Sequence, residues 1–100
     1  MEFIIHPAYE GIGLTSDFLL QPGDLVVFYN IETNHKGKYL VFEFEGRIHL
    51  LADYGQVYIS ANNPAELMIE IMAEVEKYSD YYVEVFRKGF YLELKQDREV

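Results

Sequence analysis

The chain contains no cysteine, which removes disulfides, thiolate nucleophiles, cysteine-ligated zinc and iron–sulfur clusters together. No stretch approaches the ~20 consecutive apolar residues of a membrane-spanning helix. No basic segment precedes Phe3-Ile4-Ile5, so a secretory leader is not expected and a cytoplasmic location is. Positive charge is scarce: eight Lys and Arg stand against seventeen Asp and Glu, for a net charge of −9. The bases are also scattered, at Lys36, Lys38, Arg47, Lys77, Arg87, Lys88, Lys95 and Arg98. Nucleic-acid binding draws most of its affinity from Lys and Arg on phosphates, so neither direct nucleic-acid binding nor an anionic membrane surface is expected.

Motifs for catalysis and cofactors are equally sparse. His6, His35 and His49 show no metal-ligand spacing, so no metal is expected. Gly11-Ile12-Gly13 lacks the third glycine and the preceding long strand of a dinucleotide fingerprint, and reads as turn material. Thr15, Ser16, Ser60 and Ser79 sit in no motif that would activate a nucleophile, and Ser60 reads as loop. The expectation is a non-enzyme without a cofactor.

What remains is a globular composition, half apolar and a quarter charged. One hundred residues suffice for a single domain over 1–100, with Gln96–Val100 expected to fray. Glu2–His6 reads as a short strand, followed by an irregular stretch from Pro7 to Asp24. Within it, Ser16–Leu20 suits one helical turn capped by Ser16, and Pro22-Gly23 suits the centre of a type II turn. Leu25–Ile31 is a nearly continuous apolar run, the pattern of a central strand covered on both faces. Thr33–Lys38 is a polar hairpin tip leading into Tyr39–Phe44.

Two further turns follow from register. A three-residue loop at Phe44-Glu45-Gly46 sets Glu43 against Arg47, Phe42 against Ile48 and Leu40 against Leu50, gathering four apolar residues on one face. A two-residue loop would instead oppose Phe42 to His49 and Glu43 to Ile48, so the bulged register is preferred. Asp53-Tyr54-Gly55 repeats the device and feeds a strand from Gln56 to Ser60. Asn63-Pro64-Ala65-Glu66 then combines an N-cap, a proline at the first helical position and a carboxylate reaching back, predicting a helix from Pro64 to about Ser79. Finally, a two-residue turn at Lys88-Gly89 would fold Tyr82–Lys95 into a hairpin. That hairpin pairs Val85 with Leu92 and Glu84 with Glu93. The expected fold is α+β: a mostly antiparallel, bent sheet of about six or seven short strands with one helix packed on one face.

Two surfaces are candidates for function. Glu66, Glu70 and Glu74 recur at helical spacing with Glu76 close by, a row of carboxylates able to imitate a nucleic-acid strand or simply to be a solvated face. On the outer face of the last hairpin, Tyr82, Glu84, Tyr91 and Glu93 would form an acidic, aromatic patch, unless other chain covers it. Nine tyrosines in a hundred residues are more than a core of this size hides comfortably. An acidic field with tyrosine at the surface suits a protein-binding module. The expected partner is a basic protein, such as a nucleic-acid enzyme, whose basic site the chain would occupy as an inhibitor. Nuclease inhibitors, immunity proteins and phage counter-defence proteins share that charge and size profile. The competing expectation is a structural subunit that self-associates through the aromatic face of the C-terminal hairpin.

Overall fold

The computed structural model describes residues 2–15, 18–77 and 81–93. The protein is α+β: eight strands in two antiparallel sheets and, among the described residues, one helix. In chain order these are β1 (Glu2–Ile5), β2 (Ile12–Gly13), β3 (Leu25–Asn30), β4 (His35–Phe44), β5 (Arg47–Ala52), β6 (Val57–Ala61), α1 (Pro64–Lys77), β7 (Tyr81–Phe86) and β8 (Phe90–Glu93). The larger sheet has six strands in the order β2-β7-β3-β4-β5-β6, and β1 pairs with β8 in a separate ribbon. The sheet does not close into a barrel.

β3 is central, with β7 on one side and β4 on the other, and its apolar run serves both faces. Val26 and Phe28 join the helix-side core with Val41, Ile48, Leu50, Leu67, Ile71, Val83 and Val85. Leu25 and Val27 face the other way, into a smaller core with Phe3 and Phe86. Each such side chain contributes roughly 1.5–3 kcal/mol on burial, so a strand apolar on both faces is stable only where both faces are covered. Helix α1 covers one, and the β1–β8 ribbon covers part of the other.

The helix begins as its sequence dictates. Asn63 Oδ1 accepts from the Glu66 N–H at 2.9 Å, and Glu66 Oε2 accepts from the Asn62 N–H at 3.1 Å. The carboxylate thus reaches back one residue beyond the cap itself. Leu67, Met68 and Ile71 are buried against the sheet. Positions 78–80, where the helix was expected to end, lie outside the described residues, as do Ser16, Asp17 and the 94–100 tail. Pro22-Gly23 forms the expected turn: the Asp24 N–H donates to the Gln21 carbonyl at 3.0 Å, and Gly23 takes a φ of 98°. The Asp53-Tyr54-Gly55 loop also forms, closed by hydrogen bonds from Gly55 N to Ala52 O and from Ala52 N to Gln56 O.

Several expectations are overturned, the Thr33–Lys38 tip among them, since β4 begins at His35, paired with Asn30. At the β4–β5 hairpin the loop is Glu45-Gly46, and Phe42 opposes His49 while Glu43 opposes Ile48. Both loop residues have positive φ, 53° and 76°, the mark of a type I′ turn whose twist matches that of the flanking strands. The exposed Glu43–Arg47 pair lost in this register is worth at most about 1 kcal/mol. The register gained sets Val41 against Leu50, both fully buried, which outweighs it. Leu40 and Phe42 can point away from the helix because Leu40 packs on the second core.

β7 and β8 do not form a hairpin either. β3 and β2 occupy the two edges of β7, so no edge is left for β8. At the exit of β7, Arg87 turns aside: its Nη2 donates to the Leu19 carbonyl and its Nε lies 3.5 Å from Oδ1 of the buried Asp24. The chain then crosses over, and β8 pairs with β1, Phe3 opposite Leu92 and Ile5 opposite Phe90. Phe86 is buried beneath this ribbon. Ser60, read both as the end of the Gln56–Ser60 strand and as loop, lies in β6, and its Oγ is 2.7 Å from His49 Nδ1 directly across the ladder.

Candidate functional site

The helical ridge is partly self-satisfied. Glu66, Glu70 and Glu74 project on successive turns along one flank of α1. Glu66 is engaged at the helix cap. Glu74 accepts from the Tyr58 hydroxyl at 3.2 Å through Oε2 and pairs with Lys77 at 3.3 Å through Oε1. A bulge between Leu50 and Leu51 makes the Tyr58 contact possible, because β6 gains a residue there and Tyr58 turns toward the helix. Tyr58 also stacks on Tyr39 with ring centroids 4.8 Å apart. Glu70 is exposed. Glu76 does not join the ridge: six residues on from Glu70 it falls on the opposite flank, beside an apolar groove formed by Phe18, Leu19, Ile69 and Met72.

The second candidate set is divided by the topology. Tyr91 and Glu93 are exposed on the ribbon, opposite Ile4 and Glu2. Tyr82 and Glu84 lie on the main sheet instead, where they meet residues from elsewhere in the chain. On the face away from α1, antiparallel registers align Lys36, Tyr29 and Tyr82 in one row across β4, β3 and β7. The next row is Lys38, Val27 and Glu84, and the third is Leu40, Leu25 and Phe86. The β1–β8 ribbon lies over the apolar third row, and Lys38 Nζ is tied to the Phe3 carbonyl at 2.9 Å. The first row and Glu84 of the second therefore line a cleft of about 640 Å³, together with His6, Tyr9 and Glu10.

Every principal group in the cleft is held. The Tyr29 and Tyr82 rings stack at 4.8 Å with an interplanar angle of 11°. Lys36 Nζ sits 5.2 Å from the Tyr29 centroid, within reach of a cation–π contact. The Tyr82 hydroxyl donates to Glu84 Oε1 at 3.1 Å. His6 Nδ1 accepts from the Ala8 N–H at 3.1 Å, and its ring meets that of Tyr9 edge-on at 5.7 Å. Burial, followed by the charge of Glu84, pushes the Tyr29 phenol above its ordinary range. Desolvation, followed by the bond donated to Glu84, does the same for Tyr82. Both phenols therefore stay neutral as donors at physiological pH.

Glu84 itself depends on the Gly11-Ile12-Gly13 segment. Gly11 approaches so closely that a Cβ there would lie 2.7 Å from Glu84 Cβ and 2.9 Å from Phe86 Cε1. Gly13 pairs directly with Glu84 in the β2–β7 ladder, and the space its missing side chain would fill is clear to 4 Å. Tyr29 and Lys36 are not marked by the sequence pattern because they meet Tyr82 only through the long-range β3–β7 pairing, while His6 and Glu10 reach the cleft from the stretch that follows β1. The paired glycines were the available signal: isolated glycine in a strand often marks close backbone approach. The cleft thus presents flat ring faces, neutral phenol donors and a carboxylate side by side.

No family model matches the chain, and searches of curated proteins and of solved structures likewise give no match.

Proposed function

We propose that this protein is a small acidic binding module that occupies the basic site of a partner protein, such as a nucleic-acid enzyme, and inhibits it. The observation that carries this reading is the cleft in which Tyr82 and Glu84 join Tyr29. It is a pre-organised, partly acidic and aromatic surface on a chain of net charge −9. Fixed aromatic anchors supply burial energy at little entropic cost, and the overall field draws a basic partner in. The helical ridge fits the role less well, since Glu66 and Glu74 already bind within the chain and Glu76 lies on the other flank. The self-association reading has less support, because Tyr82 and Tyr91 lie on different sheets and not on one continuous hairpin face.

The test is capture from a nuclease-treated lysate of the source cells, eluted by stepwise salt, followed by an activity assay of the eluted enzyme with and without the protein. Salt-labile capture of a basic enzyme that the protein inhibits is the expected result. It should be lost with the Tyr82→Ala/Glu84→Gln pair and kept with Glu66→Gln/Glu70→Gln/Glu74→Gln. Salt-independent capture, or capture indifferent to the first pair, would overturn the reading.

A further inference from the structure

Resting on the reading that the partner is basic, we propose that the cleft is an arginine socket: one guanidinium group of the partner stacks on Tyr82 and pairs with Glu84 above Gly13. The cross-strand row already displays half of this arrangement. Lys36 lies against one end of the Tyr29–Tyr82 stack, so one pole of the stacked rings holds a cation from the chain itself. Tyr82, at the other pole, remains 44% exposed, although the crossing segment continues past β2 with the Leu14 N–H donating to the Val83 carbonyl at 3.1 Å.

The two glycines line this cleft. Gly11 allows the Glu84 carboxylate to lie against the crossing segment, and Gly13, across the ladder from Glu84, leaves open the space its side chain would fill. The Tyr82 hydroxyl occupies Glu84 Oε1, and Oε2 lies against Gly11, from which it must swing to accept from a ligand. A planar cation lying on Tyr82 reaches that oxygen with an N–H in its own plane. Guanidinium meets both demands, since it stacks on aromatic faces and carries donors in a fixed fork. An ammonium group is a compact, strongly hydrated charge and can satisfy one demand or the other. An anion is disfavoured by Glu84 and Glu10, which both line the cleft. Lys36 is separated from the Tyr82 pole by two stacked rings, so its repulsion is weakened by distance and salt.

The experiment is an NMR titration of the intact protein with acetyl-arginine methylamide, against the lysine and citrulline analogues. The arginine probe should shift the Tyr29 and Tyr82 ring signals and the Gly13 amide saturably. It should bind at least about threefold tighter than the lysine probe, with citrulline inert. Glu84→Gln should weaken binding roughly three- to tenfold. Gly13→Phe places a ring in the vacant position and should abolish binding while leaving the thermal midpoint near that of the wild type. Equal affinity for arginine and lysine probes, shifts confined to α1, or undiminished binding by a folded Gly13→Phe protein would each overturn the socket. The two readings fail separately. Salt-labile capture and inhibition of a basic enzyme, with no arginine signal in the cleft, overturns the socket alone. Arginine binding in the cleft without any inhibited basic partner overturns the functional reading alone.

Discussion

Gly11 and Gly13 are two residues apart on the same edge segment, yet alanine should act in opposite directions at the two positions. At Gly11 a Cβ would stand 2.7 Å from Glu84 Cβ and 2.9 Å from Phe86 Cε1, as well as overlapping Glu84 Oε2. The carboxylate oxygen can swing away. Glu84 Cβ cannot, because β7 is paired on both edges, and the Phe86 ring is fixed in the second core. Relief therefore requires the crossing segment to move outward, and overpacking of this kind costs about 1–3 kcal/mol. A domain of this size loses about 4–8 °C of Tm per kcal/mol, so Gly11→Ala should melt at least ~4 °C lower. At Gly13 nothing lies within 4 Å of the added methyl and φ is not positive. There, Ala restricts the unfolded chain and should stabilise by about 0.4–1 kcal/mol. Thermal unfolding followed by circular dichroism, with urea denaturation to confirm an unchanged m-value, measures both. Adding Glu84→Ala to Gly11→Ala should recover only part of the loss, since the Cβ contact persists. A Gly11→Ala protein as stable as wild type, or two alanines with the same sign, would refute the close approach of β2 to Glu84.

The β4–β5 turn gives a second stability prediction. Glu45 has a φ of 53°, which Asn tolerates better than Glu; Glu45→Asn should stabilise by about 0.5–1 kcal/mol, and Glu45→Gln, which removes only charge, should not. A destabilised Glu45→Asn would favour the bulged register instead. Asn63→Ala removes the acceptor for the Glu66 N–H and should cost about 1 kcal/mol by urea denaturation. The raised phenols of Tyr29, Tyr39 and Tyr82 set an alkaline limit. Their protonated forms are favoured by the fold, so that stabilisation is complete below the ordinary tyrosine pKa of 10.0 and is lost as pH climbs through the higher folded values. Absorbance titration should show part of the tyrosine signal ionising late. Glu84→Gln should bring Tyr82 back toward 10.0, and an unchanged curve would contradict the Tyr82–Glu84 bond.

The fold was most legible where a residue acts on its immediate neighbours. Asn63, Pro64 and Glu66 mark the helix start within four positions, and Pro22-Gly23 and Asp53-Tyr54-Gly55 close turns whose hydrogen bonds span three or four residues. The apolar run of β3 announced burial on both faces, although it could not say what covers them. The β4–β5 register was misjudged for a related reason. Assigning all the apolar residues of the two strands to one face is right only if the other face is wet. Here Leu40 is needed by the second core, a layer that no local pattern reveals.

The site was less legible than the fold because its geometry depends on which strand claims an edge. Lys88-Gly89 between two apolar, alternating segments is a sound hairpin signal, and it fails only because β2 has already taken the free edge of β7. Two residues of ladder suffice: Ile12 pairs with Val85 and Gly13 with Glu84. With that edge occupied, β8 must cross to β1, and Glu84 separates from Glu93. Tyr82 and Glu84 were singled out as members of a continuous hairpin face, and they remain candidates for another reason. The crossing of β8 buries Phe86 and stops short of the row above it, so the same event that dismantles the expected patch leaves Tyr29, Tyr82 and Glu84 uncovered beside two glycines. A cleft of this kind is made by what the covering layer fails to reach, and here that layer ends where β1 stops at Ile5, opposite Phe90.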